Sequence, residues 1–170
     1  MTDIEVRGAS ARSVREVPEG AVTAPLRNVL SPEAFVPRLL AILSNALVRR
    51  ESRELRALVG LGTNDWRVIS ALGARPGMPA SEVSEFLVVN KAVVSKSVGT
   101  LGERGLIVMG DGPRGSRPLF LTEQGAHMHD VMKPISESGE QIILEGMTDD
   151  EIAAITGVLQ RMLERIGEAD

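Results

Sequence analysis

Cysteine and tyrosine are absent from the 170-residue sequence, and its other aromatics are three Phe and one Trp. Without cysteine there is no disulfide framework, no thiol redox sensor and no cysteine-ligated zinc or iron–sulfur site. With so few aromatics, Leu, Val, Ile, Ala and Met must fill the core, and such an aliphatic composition leans helical. No apolar run approaches the eighteen or so residues of a membrane span, and the opening MTDIEVRGAS has no signal-like apolar segment. A soluble, cytoplasmic protein without membrane contact is expected. The length suits one compact domain, or a small domain with an appended dimerisation element.

Histidine is scarce as well. His127 and His129, two apart on a predicted helix, point about 200° from each other and cannot share a metal or a site. One is expected to face inward and the other solvent. The glycines at 110–115 are followed by a strand-like run rather than a helix, so they do not form a phosphate loop. No catalytic constellation, cofactor or metal site is therefore expected, and the protein does not read as an enzyme.

Taken as a total, the net charge of −4 disfavours nucleic acid, but its distribution is uneven. From Val89 to Arg117 there are five basic residues (Lys91, Lys96, Arg104, Arg114, Arg117) and two acidic (Glu103, Asp111). From Pro118 to Asp170 there are three basic and eleven acidic residues. A basic middle is joined to an acidic tail.

Residues before about position 30 lack periodicity and read as a mobile arm able to fold on a partner subunit. Ser31-Pro32-Glu33 reads as a helix entry, with Pro37 disturbing the first turn. The run RLLAILSNALVRRESRELRALV predicts a long helix with an apolar face at Leu39, Ile42, Leu43, Ala46 and Leu47, ending at Gly60-Leu61-Gly62. Thr63 is expected to cap a second helix, with Asp65 in its first turn and Trp66, Ile69 and Leu72 inward. A short helix from Pro79 carries Val83, Phe86 and Leu87. Asn90 then caps a helix over about 91–104 whose buried stripe is Val94, Val98 and Leu101, with Gly105 as its stop. Gly99 and Gly102 inside it suggest close helix packing. LIVM and PLFLT flank GDGPRGSR as a hairpin with a flexible basic tip. Thr122 caps a long helix to about Glu145 that contains Pro134. Thr148 to Glu151 fits a capping box ahead of the apolar stripe Ile152, Ile155, Val158, Leu159, Met162, Leu163 and Ile166.

Helix, short helix, capped helix and basic hairpin, in that order, predict a winged helix-turn-helix. Such a fold inserts the N-terminal part of its capped helix into the major groove of DNA and sends the hairpin arginines to a phosphate or the minor groove. From about Phe35 to Ile166 the sequence also resembles the MarR-type transcriptional regulators. The resemblance rests on TNDWRVISAL (63–72), ASEVSEFLVVNKAVVSKSVGTLGERGLI (80–107) and LFLTEQG (119–125).

The resemblance implies a mainly α fold with a small β-hairpin wing: a winged helix-turn-helix domain plus N- and C-terminal dimerisation helices. The corresponding division is 1–32 as a flexible N-terminal arm, 33–60 as a dimerisation helix, 61–122 as the DNA-binding domain and 123–170 as C-terminal dimerisation helices. It implies a homodimeric, ligand-responsive repressor on a pseudo-palindromic site in double-stranded DNA. Carried over by position, the DNA-binding residues are Asn90, Lys91, Ala92, Val93, Ser95, Lys96, Arg114 and Arg117. The wing departs from the family's Asp-x-Arg pattern: only Asp111 remains, and the sequence leaves open which arginine sits at the tip.

It further implies a small-molecule effector, an aromatic acid or its CoA thioester, near Asn45, Arg49, Arg53 and Trp66. The same arginines read more readily as partners of DNA phosphates or of Glu51 and Glu54. An alternative is a winged-helix interaction module that holds another protein and no DNA.

Overall fold

The computed structural model describes residues 16–168. The first fifteen residues of the expected arm lie outside this range. The remainder, up to Phe35, carries only turns and bends. Six helices and one hairpin follow: α1 (Val36–Val59), α2 (Thr63–Ala74), α3 (Ala80–Leu87), α4 (Lys91–Glu103), β1 (Ile107–Met109), β2 (Leu119–Leu121), α5 (Glu123–Leu144) and α6 (Asp149–Gly167). The mainly helical fold with a two-stranded wing is as expected. No helix among the described residues is long and apolar enough to cross a membrane.

Helix α1 begins at Val36, later than Ser31-Pro32 suggested. Ser31 instead closes a turn, its carbonyl accepting from Phe35 N–H at 3.1 Å and its hydroxyl from Ala34 N–H at 3.2 Å. Pro37 then falls in the first helical turn, where its missing donor costs nothing. At the other end Gly60 takes the left-handed conformation (φ 70°) that stops the helix. The start of α2 also differs. Gly62 is the cap, and Thr63 is already helical and buried. Having no side chain, Gly62 is served from inside the helix: Asp65 Oδ2 accepts its N–H at 2.9 Å. The other predicted caps form as read. Asn90 Oδ1 accepts from Ala92 N–H (2.8 Å), Thr122 Oγ1 from Gly125 N–H (3.0 Å), and Thr148 with Glu151 makes the reciprocal box.

Every fully buried apolar side chain except Leu55 and Met132 lies between Leu61 and Leu119. The core therefore belongs to the winged unit, where Ile69, Leu72, Val83, Val94, Leu101 and Leu106 pack together. Helix α6 buries no residue, and its stripe leaves Val158 39% and Leu163 68% exposed. Leu39, Ile42 and Leu43 of α1 are likewise exposed. A polar lock holds α1 to α5: Arg50 pairs with Glu54 (3.3 Å) and donates to Ser138 Oγ (3.0 Å), while Ser136 Oγ donates to Glu51. Helix α5 continues through Pro134.

The wing strands pair antiparallel, Ile107 with Leu121 and Met109 with Leu119. The other edge of β2 is occupied too, since Leu119 N–H donates to Met78 O (3.1 Å) and Gly77 N–H to Leu119 O (2.9 Å). The first turn of α5 presses on the start of β1. A Cβ at Gly125 would lie 1.9 Å from the Leu106 carbonyl oxygen, so only glycine fits there.

Candidate nucleic-acid interface

The geometry is set by the link between α3 and α4. Val88 takes the left-handed conformation (φ 51°, ψ 48°) and reverses the chain in one residue. Ser84, buried on α3, donates its hydroxyl to Val89 O at 2.7 Å and fixes the turn from below. Asn90 then opens α4, whose inner side is Val94, Ser97 and Leu101. Val98, expected in that stripe, is only half-buried; Ser97 takes the inward position. Gly99 and Gly102 face open space with no atom within 4 Å of an added Cβ, so close packing does not explain them.

The opposite face of α4 is polar and open. Asn90, Lys91, Ala92, Ser95 and Lys96 are all exposed, and Val93 is half-buried. These predicted contact residues therefore share one N-terminal patch on a helix braced by the core. Arg114 and Arg117 are exposed on the wing. Its tip is a tight turn over Pro113–Gly115, closed by Gly112 N–H to Ser116 O (2.9 Å) and Ser116 N–H to Pro113 O (3.1 Å). Arg114 sits at the apex of that turn and Arg117 on the returning flank, which resolves the register that sequence left open. Among the described residues, none of Lys91, Lys96, Arg114 and Arg117 has a carboxylate within ion-pair distance. Four cations in water, on a helix and a hairpin turn, suit a polyanion whose phosphates are regularly spaced.

Two further residues join this surface that sequence reasoning did not single out. Arg56 and Asn64 line an open polar cleft of about 530 Å³ together with Lys96 and Thr100. The cleft lies between the end of α1, the start of α2 and the outer side of α4. The excess of arginine in the second half of α1 was a signal, but which arginine meets Lys96 depends on the α1–α2 bend. Arg104, at the end of α4, turns away from the patch. Its guanidinium donates to Val59 O (2.8 Å) and Gly60 O (3.0 Å) and so caps α1.

The residues expected around an effector are not gathered together. Asn45, Arg49 and Arg53 line a shallow groove of about 440 Å³ on the outer side of α1. Trp66 lines a different cavity, of about 500 Å³, with Leu43, Leu47, Arg67, Ile135 and Ile143 among its walls. Spacing placed the three α1 residues on one face, but that face is turned away from Trp66. The His129 ring packs beside Trp66 with centroids 5.2 Å apart, while His127 is exposed, as the spacing predicted. Among the described residues no cluster of His, Asp and Glu has the form of a metal site.

The MarR family model matches residues 59–117, the span from the end of α1 through α4 to the wing arginines. Over that span the chain is similar to the MarR family. Solved MarR-family structures superpose well beyond it. A transcriptional regulator from Silicibacter pomeroyi is 26% identical with a TM-score of 0.73, covering 79% of this chain and 91% of its own. One from Acinetobacter sp. ADP1 is 22% identical (TM-score 0.74; 82% and 99% covered). A third, from Listeria monocytogenes, was solved in complex with a 26mer DNA; it is 20% identical (TM-score 0.74; 79% and 90% covered). No protein of curated function matches the sequence significantly. The similarity in fold thus extends well beyond the span that the family model matches.

Proposed function

We propose that the protein is a sequence-specific DNA-binding transcriptional regulator, a ligand-responsive homodimeric repressor of a pseudo-palindromic operator. The observation that carries this reading is a set of exposed cations without ion-pair partners among the described residues, all within the span that matches the MarR family model: Lys91 and Lys96 on α4 and Arg114 at the wing apex. In this reading the N-terminal half of α4 enters the major groove, where Asn90, Lys91, Ala92 and Ser95 meet base edges. Lys96 and Arg56 take a phosphate between them, Arg114 reaches the minor groove and Arg117 an adjacent phosphate. Homodimerisation is supported by α1 and α6, whose apolar stripes stay about 40–70% exposed among the described residues.

The effector reading shifts from the outer arginines to the cavity beside Trp66. Its lining is largely aliphatic, and its size suits a small aromatic acid. Of its two arginines, Arg50 is held by Glu54 and Ser138. Arg67 has no ion-pair partner among the described residues and is the cation for a carboxylate. A ligand there touches α1, α2 and α5 together, so it acts by preferring one arrangement of them over another.

The test is fluorescence anisotropy with duplex DNA from upstream of the protein's own gene, titrated across salt. Tight binding above a random duplex is expected, with a steep salt slope. Lys96→Ala should weaken binding and lower that slope by about one phosphate's worth. Arg114→Ala should weaken it without unfolding the protein. Unchanged affinity and slope in both variants would overturn the groove assignment and favour a protein-binding role.

A further inference from the structure

The chain ahead of α1 is apolar beyond what an exposed segment requires. Val22, Leu26, Val29 and Leu30 stand 59–77% exposed. Only four charges, Glu16, Glu19, Arg27 and Glu33, are interspersed from residue 16 to 34. The solved relatives cover about four fifths of the chain, roughly the share that runs from α1 to α6. The arm is therefore additional to the shared fold.

Its exit is fixed. Ser31 closes the turn before α1, and the Arg38 guanidinium reaches back to the Pro32 carbonyl. Beyond that turn, the one backbone hydrogen bond among the arm's described residues is local, Ala21 N–H to Pro18 O. The exit also abuts the groove between α1 and α6, lined by Val36, Leu40 and Ile155. The arm's apolar side chains are thus continuous with the surface that a second copy would cover.

We propose that this arm docks on a second copy of the chain, along the outer groove of its α1, and extends the dimer interface. The inference rests on the homodimer reading above. The order of chemistry along the two partners agrees. The arm is apolar near its own helix (Leu26, Val29, Leu30) and acidic further out (Glu16, Glu19). The groove is apolar at Ile42 and Ala46 and cationic at Arg49 and Arg53. An arm laid antiparallel to the partner's α1 brings like to like at one end and opposite charges at the other. Reach is ample: the eleven residue steps along α1 from Ile42 to Arg53 rise about 17 Å, and the eleven steps of the arm from Glu19 to Leu30 extend to about 36 Å. The groove's arginines then have a role unrelated to effector or DNA.

The absence of cysteine makes the test clean. Two differently tagged full-length copies, one Leu26→Cys and the other Asn45→Cys, are mixed, allowed to exchange subunits and mildly oxidised. A disulfide between the two tags is expected. A second variant, Leu26→Asp with Leu30→Asp in one full-length chain, should raise the dimer dissociation constant in sedimentation by about tenfold or more. Its thermal unfolding as a dilute monomer should not change, since the arm adds nothing to the core. A dimer with unaltered dissociation constant and no inter-tag disulfide overturns the proposal. So does a disulfide formed only within one chain when both cysteines are on the same copy. A wild-type chain that stays monomeric at every concentration overturns the homodimer reading itself, and the arm's docking with it.

Discussion

At the scale of single residues, two backbone positions carry the recognition unit. Val88 is β-branched, left-handed and 87% exposed, so it has the steric cost of that conformation, about 1–2 kcal/mol, with no burial to offset it. Val88→Asn is expected to raise stability by about 1 kcal/mol, seen as a higher urea midpoint at unchanged slope; a lower midpoint would contradict the strain. Gly125 is the opposite case. Gly125→Ala drives a methyl into the Leu106 carbonyl and is expected to cost about 3 kcal/mol or more, a loss that thermal unfolding would register; a neutral result would mean that α5 can slide. Neither demand was legible in the sequence. Left-handed turns announce themselves through Gly or Asn, and "LVVN" offers neither at the position concerned. The glycine of LTEQG was visible as part of a family block, but the atom that forbids a side chain there comes from another element.

At the scale of elements, what the sequence made readable was local. Asn90, Thr122 and Thr148 were identifiable as caps because donor and acceptor lie within three residues of each other. Ser31 and Thr63 looked equally suitable and are not caps, since Pro37 and Gly62 with Asp65 supply better starts nearby. The cap of α6 also titrates. Hydrogen bonds from the Thr148 backbone and hydroxyl hold the Glu151 carboxyl below its ordinary pKa. A depressed folded-state pKa contributes stability that is present above the unfolded value and lost as pH falls through the folded one. Helix α6 should therefore fray on acidification below the usual carboxylate range, measurable as loss of amide-exchange protection at Ile152 and its neighbours. Glu151→Gln should remove that dependence; an identical acid profile in the variant would assign it to another group.

For the whole molecule, the uneven core is what the proposed assembly rests on. The winged unit is packed, whereas α1 and α6 show apolar stripes to water. Pairing with a second copy, as proposed above, would cover them. Leu163→Asp on α6 is expected to yield a monomer by sedimentation and to abolish the dependence of the melting temperature on protein concentration. A dimer that survives the change would move the interface elsewhere. The exposed cationic patch was legible from sequence because one helix and one hairpin supply it, each with its own periodicity. The cavity beside Trp66 was not, because its walls come from helices far apart in the chain and no spacing rule relates Trp66 to the residues of α5 that line it.

Arg104 joins these scales. One guanidinium, at the end of α4, holds the last carbonyl of α1 and that of the Gly60 that stops it. The helix that carries the exposed lysines and the long first helix are thereby tied end to end across the bend at Gly60. In the regulator proposed above, a shift of α1 would reach the far end of α4 through this tie rather than through the wing. The angle at which such a regulator met its target would then be written into the end of its first helix.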